Sequence, residues 1–178
     1  MDDKLIDDFN QTMNSWIDAL EKYSTEDLEF RPAPDKWSMG QLYMHLIAET
    51  DFYIAQVNTC TACDDNATEP LADKGRELLL ANTFPDEDLT GPPSNNLLPQ
   101  PESKQDLVLS LLNSKAAMNA AFIMVRQSPF AGKTKHPGFG YMCAAEWLHF
   151  ANLHLRHHFR QQLKIEALLA STTSPRGE

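Results

Sequence analysis

Four stretches of this chain repeat apolar residues with a helical period, and no segment shows the strict alternation of a strand over a useful length. In residues 2–23, Leu5, Phe9, Met13, Trp16, Leu20 and Tyr23 step by four and three, the spacing of a seam inside a helix bundle. The second stretch opens at WSMGQL, where Ser38 and Gln41 form a capping box and Trp37 and Leu42 can staple around it. That helix is expected to reach Thr59. The third runs from Glu102, just after Pro101, to Gln127, with Leu107, Leu111, Met118, Ala121 and Val125 on one side. The fourth runs from Tyr141, after the breaker-rich HPGFG, to Ala170. The pattern predicts an all-α fold, a four-helix bundle filling residues 1–170 as a single domain, with residues 171–178 (STTSPRGE) as a flexible tail.

The connections constrain the topology. Roughly fourteen residues join the first helix to the second, and a similar number join the third to the fourth. The link between helices two and three, residues 61–101, holds six of the eleven prolines. It is long enough to return along a helix of about 30 Å, so these two helices are expected to run parallel. Within it, ADKGRELLLAN reads as a short helix and the remainder as ordered loop.

Composition narrows the function classes. The net charge of −10 divides unevenly: residues 1–90 carry 20 acids and 6 bases, residues 91–178 carry 5 and 9. The acidic total argues against nucleic acid as a partner, since phosphate backbones call for clustered Lys and Arg. No apolar run is expected to approach the roughly eighteen residues of a membrane span. The start MDDKLIDD is acidic where a secretion signal would be basic. Three cysteines, Cys60, Cys63 and Cys143, are too few for a disulfide scaffold. These features predict a cytoplasmic protein that acts on a small molecule rather than on a membrane. Cys60 and Cys63 have CxxC spacing, but without a second pair or a flanking strand they read first as incidental thiols and second as a redox or metal pair.

Three of the six histidines fall within the five residues from His154 to His158. With His154 as zero on helix four, His158 lies at about 40°, Gln161 at about −20°, Trp147 at about 20° and Phe150 at about −40°. Cys143, Ile165 and Leu168 share that inward sector. His157 sits on the flank, and His149 falls on the outer side with Arg156 and Arg160. On helix two, His45 shares the face of Gln41, Leu42, Glu49 and Phe52. A single buried histidine is most often a core residue bonded to a neighbour. Three of them on the inward faces of two helices point instead to a metal site made of His45, His154 and His158. A protease-type HExxH is excluded because Leu155 follows His154. A di-iron bundle would need a second ExxH beside Glu146–His149. A Cys143–His154 nucleophile pair would be about 16 Å apart along the helix.

KWSMGQLYMHL and HPGFGYMCAAEWLHFANLHLRHHFRQQLKI together resemble the DinB-like superfamily of helical bundles, which includes bacillithiol-dependent transferases and mycothiol-dependent maleylpyruvate isomerase. The resemblance covers nearly the whole chain. It rests on the W-S-x-x-Q entry to helix two, the histidine four residues after Gln41, the HP-x-x-G connection and the H-x-x-H-H-x-x-Q run. The family's metal-binding histidines map onto His45, His154 and His158. The resemblance implies an up-down-down-up bundle, often a homodimer, and a divalent metal (zinc, nickel, iron or manganese) with a vacant side. In members of known activity, a low-molecular-weight thiol attacks an electrophile at that metal.

A metal-dependent thiol S-transferase of detoxifying type is therefore the leading expectation. The alternatives are a metal-dependent hydrolase and a non-catalytic stress or ligand-binding bundle. Glu49 and Gln161 are the residues expected to orient the ligands. Glu49 is also a candidate fourth ligand or general base, or simply an exposed carboxylate. His157 is a candidate proton carrier at the rim, or a packing residue. The stripe Arg156, Arg160, Lys164 reads as solvated or paired with the acidic half, or else as a dimer contact or the rim of an anionic-cosubstrate site.

Overall fold

The computed structural model describes residues 2–34, 36–85 and 98–173. Six helices and a hairpin appear among them. They are α1 (Asp3–Leu20), α2 (Thr25–Glu29), α3 (Met39–Cys60), α4 (Asp73–Ala81), α5 (Lys104–Gln127), β1 (Lys133–His136), β2 (Gly140–Cys143) and α6 (Ala144–Thr173). The four long helices are the expected ones. Residues 171–173 continue α6 rather than starting a tail, and 174–178 lie outside the described residues, as do 86–97 of the crossover.

Side-chain caps start α1, α2, α3 and α5. The Asp2 carboxylate accepts from the Lys4 amide at 3.0 Å, and the Ser103 hydroxyl accepts from the Asp106 amide at 3.1 Å. At α3 the capping box is complete: Ser38 Oγ accepts from the Gln41 amide at 3.0 Å, and Gln41 Oε1 accepts from the Ser38 amide at 3.1 Å. A second box, Ser24 with Asp27, starts α2, a turn of helix too short to announce itself by periodicity.

Cross-helix contacts give the directions. Thr12 donates to Asn152 at 2.7 Å and Tyr23 donates to Glu166, so α1 and α6 run parallel. Asn10 and Asn119 exchange hydrogen bonds while Lys104 donates to the Tyr23 carbonyl, so α1 and α5 are antiparallel. Ser114 donates to Asp51 at 2.6 Å and Ser128 to the Thr61 carbonyl at 2.8 Å, which makes α3 and α5 parallel. A Cβ on Gly40 would lie 2.8 Å from the Pro101 ring, so the two N-terminal ends also touch. The bundle is up-down-down-up, as the long crossover requires.

The core follows the seam. Phe9, Met13, Trp16 and Leu20 are fully buried, and Trp16 stacks on Phe159 with centroids 4.7 Å apart. The inner face of α5 buries Leu107, Leu111, Met118 and Ala121, with Val125 half-buried. Two expected inward residues are exposed, Phe52 and Leu168. Tyr53 rather than Phe52 fills the α3–α6 contact, and Leu168 lies past Glu166, which already meets Tyr23 beyond the end of α1.

Two further expectations are corrected. The strands of β1–β2 pair antiparallel, Lys133 opposite Cys143 and His136 opposite Gly140. Each is four residues long, too short for alternation to show, and β2 moves the start of α6 from Tyr141 to Ala144. The hairpin is tied to the crossover, since the Ala72 amide donates to the Phe139 carbonyl at 2.9 Å and the Tyr141 amide to the Pro70 carbonyl at 3.2 Å. Gly140, at φ +80°, sits against Ala72, where a Cβ would come within 2.6 Å of the backbone nitrogen. The second correction concerns α5. By length and composition it could cross a membrane, because Lys115 is the only charge between Asp106 and Arg126. In the fold it packs against α1 and α3.

Candidate metal centre

The antiparallel α3–α6 contact brings His45 to the pair on α6. His45 Nε2 lies 3.1 Å from His158 Nε2, which lies 3.2 Å from His154 Nε2, and all three donor atoms fall within 4.8 Å of one another. The i, i+4 spacing on α6 places two rings on one face, and the Ser38 cap sets the register that brings in the third. Around a tetrahedral zinc with Zn–N of about 2.05 Å, neighbouring nitrogens would be about 3.3 Å apart. Two of the three separations are close to that value.

Burial holds these rings neutral. It lowers His45 from the ordinary 6.5 to about 4. His158 falls to about 3, through burial first and the neighbouring His45 second. His154 is pushed well below the ordinary range by burial first and then by the proximity of His158 and His45, which disfavours a second positive charge beside either ring. Gln161 Oε1 lies 2.9 Å from His158 Nδ1 and accepts a hydrogen bond from its N–H, which leaves a lone pair on His158 Nε2 facing the other two rings. Three neutral imidazoles facing one another in this way can satisfy at most part of their hydrogen bonding. A divalent cation at the common point would take all three lone pairs, so the residues present fit such an ion.

The other candidates are distributed around this cluster. Glu49 is half-buried and is not one of the converging donors; its Oε2 accepts from the Tyr53 hydroxyl at 2.8 Å. Tyr53 in turn packs edge-on against His154, with centroids 5.6 Å apart. His157 lies beside Phe84 at 5.0 Å, and its Nδ1 accepts from Arg160 at 2.8 Å. His149 is not turned to bulk water as expected: it is half-buried under Asn82, whose Oδ1 lies 2.9 Å from its Nε2. Arg156 and Arg160 line a groove of about 660 Å³ between α1 and α6, with Lys4, Gln11 and Ser15 across from them. Cys60 is buried with its thiol pushed up by burial, and Cys143 is half-buried and shifted the same way.

Sequence reasoning missed three neighbours of the histidines. Tyr53 lies two turns after His45, but at 100° per residue it stands about 80° from that ring and Phe52 only about 20° away, so helical phase favours the wrong ring. Trp37, noted only for the cap, packs on His45 at 4.9 Å. Phe84 packs near His154 at 6.4 Å, but it belongs to the crossover, where no periodicity could place it.

The class these features define is an up-down-down-up four-helix bundle with a three-histidine cluster between its second and fourth long helices. The family model described as the DinB superfamily matches residues 8–162, and the chain belongs to that superfamily. Two solved structures share the fold. TT2238, a four-helix bundle protein, is 13% identical with a TM-score of 0.57, over 91% of this chain and 98% of its own. YfiT from Bacillus subtilis, a probable metal-dependent hydrolase with an unusual four-helix bundle topology, is 13% identical with a TM-score of 0.62, over 94% of this chain and 87% of its own. No functionally curated protein matches the sequence.

Proposed function

We propose that His45, His154 and His158 hold a divalent metal ion and that the protein is a metal-dependent thiol S-transferase of detoxifying type. The observation that carries the metal reading is the convergence of three neutral Nε2 atoms with no carboxylate among them. An all-imidazole set suits zinc, nickel or iron better than manganese, which prefers oxygen donors. A divalent ion bound there supplies an open coordination position and lowers the pKa of a thiol or water placed on it. The chain's own residues do the rest. Gln161 fixes the tautomer of His158. Tyr53 and Trp37 pack against the rings of His154 and His45. Glu49, held by Tyr53 one turn from His45, would be the general base. Arg156 and Arg160, with Lys4 and Asp8 opposite, line a groove beside His157 in which the two guanidiniums would pair with a carboxylate of a small thiol cosubstrate.

The transferase reading draws on the superfamily. The hydrolase reading draws on the likeness to YfiT, and in it Glu49 would deprotonate water instead. The substrate in either case is a small molecule, and the protein is expected in the cytoplasm.

Metal analysis of gently purified protein should find close to one ion per chain, and His154→Ala should lose it. A metal-free wild type would end both enzyme readings. Thermal shift of the metal-loaded protein with low-molecular-weight thiols then separates them. A rise in melting temperature with a thiol supports the transferase. No response to any thiol, together with ester or amide hydrolysis, supports the hydrolase.

A further inference from the structure

The HPGFG turn, which the metal centre does not use, builds a hydrogen-bond donor. His136 ends β1, and the Gly138 amide donates to its Nδ1 at 3.0 Å. An amide N–H can only donate, so Nδ1 holds a lone pair and the proton of the neutral ring sits on Nε2. Pro137 has no N–H, which makes Gly138 the first amide after His136 able to fill this role. Burial lowers His136 to about 4, so the ring is neutral at pH 7. Its Nε2–H has no hydrogen-bond partner among the described residues. No fully enclosed side-chain nitrogen or oxygen lacks a partner among those residues, so this N–H is within reach of solvent.

That donor stands among aromatic rings shared with the metal centre. The His136 ring lies 5.0 Å from Phe150 and 5.6 Å from Trp147, centroid to centroid. Phe150 in turn lies nearly parallel to His154 at 6.4 Å, so one ring separates His136 from the histidine cluster. From the α3 side, Phe52 reaches the same Trp147 at 5.9 Å and yet is 45% exposed. It shares the helix face of His45 and Glu49, which turns it toward the cluster rather than away. Phe139 adds a half-buried ring beside His136 at 4.7 Å. Rings from α3 and the hairpin thus reach solvent over buried Trp147 and Phe150, next to the half-buried His154. Apolar surface left open beside a few placed polar groups is the usual make-up of a small-molecule site.

We propose that these rings receive the substrate of the metal centre, a small molecule with a planar apolar body, and that His136 Nε2–H donates to an acceptor oxygen lying one ring beyond the group at the metal. The proposal rests on the metal reading above and adds to it the class of substrate and a residue that orients it. A planar body suits the offset and edge-on contacts that aromatic rings prefer. An acceptor oxygen suits a neutral donor, and a substrate lacking one would leave the N–H covered and unpaired, which disfavours it. His136 binds and orients in this scheme, and takes no proton.

Proton–nitrogen correlation spectra of protein with nitrogen-15 histidine, recorded at pH 7, should show His136 as a neutral ring protonated on Nε2, with or without metal. Zinc-loaded protein is then titrated with acetohydroxamate, benzohydroxamate and 4-acetylbenzohydroxamate, which grip zinc through the same two oxygens and differ in what lies beyond. Benzohydroxamate should bind about tenfold more tightly than acetohydroxamate through its contact with the rings. The 4-acetyl oxygen should add about 3- to 10-fold, the ratio that one neutral hydrogen bond supplies. That second gain should vanish in His136→Phe, which keeps a ring but has no donor, while benzohydroxamate binds the variant as it binds the wild type. In the wild type the His136 Nε2 signal should move with 4-acetylbenzohydroxamate and not with acetohydroxamate, a reading that needs no variant. A ring protonated on Nδ1, hydroxamates of equal affinity, or a 4-acetyl gain that is absent or survives in His136→Phe would each overturn the proposal and leave the metal centre intact. Protein that takes up no zinc ends the metal reading and this proposal with it.

Discussion

Gln161 shows how a single residue can matter without reaching the centre itself. Its carbonyl oxygen faces His158 Nδ1 at 2.9 Å and so decides which nitrogen of that ring carries the proton. Removing such an orienting partner generally costs about 10- to 100-fold in metal affinity. Gln161→Leu, similar in size but unable to accept, should weaken metal binding by about that factor while leaving the metal-free melting temperature nearly unchanged. Competition with a chromogenic chelator measures the first and thermal unfolding the second. Unchanged affinity would reduce Gln161 to a packing residue. Its position was readable from helical phase, as were those of His45, His154 and His158. Tyr53 was not, since helical phase points to Phe52, its neighbour by one residue. At one position's difference, phase alone does not say which ring the facing helix has room for.

At the scale of elements, what was legible depended on length. Helices of eighteen residues or more repeat their pattern often enough to be seen, and α1, α3, α5 and α6 were all expected. The five-residue α2 and the four-residue strands were not, because one turn or two alternations cannot be told from chance. The hairpin nevertheless has a clear role. It joins α5 to α6, anchors the crossover through Ala72 and Phe139, and receives the Trp147 indole through Thr134 at 2.7 Å. Gly140 is its critical position, with a left-handed φ of +80° and no room for a Cβ. Gly140→Ala should destabilise the fold by about 1–3 kcal/mol from backbone strain alone, and by more if Ala72 cannot move. Chemical denaturation measures this, and a change well below 1 kcal/mol would mean that the hairpin and crossover separate easily.

For the whole molecule, the imidazoles of His45 and His158, which are buried, and of His136 and His154, which are half-buried, make stability depend on pH. Burial holds His45 and His136 at about 4 and His158 at about 3, against an ordinary 6.5. The unfolded chain therefore takes up protons near pH 6.5 that the metal-free fold refuses. The contribution from these rings is fully present above that pH and is lost as the pH falls toward 4 and below. Metal-free protein should thus melt several degrees lower at pH 5 than at pH 7.5, with the loss beginning near 6.5. A melting temperature that is flat or rising over that interval would show that the rings are not buried together. Helical periodicity, the caps and the length of the crossover were enough to determine four helices, their boundaries to within a few residues and the parallel pair. These are properties of neighbours along the chain, and neighbours are what a sequence displays. What covers each face was decided only by tertiary packing. His149 lies under Asn82, Phe84 reaches the histidine rim, and Glu49 turns to Tyr53. Each depends on where a remote segment comes to rest, and no local pattern records that distance.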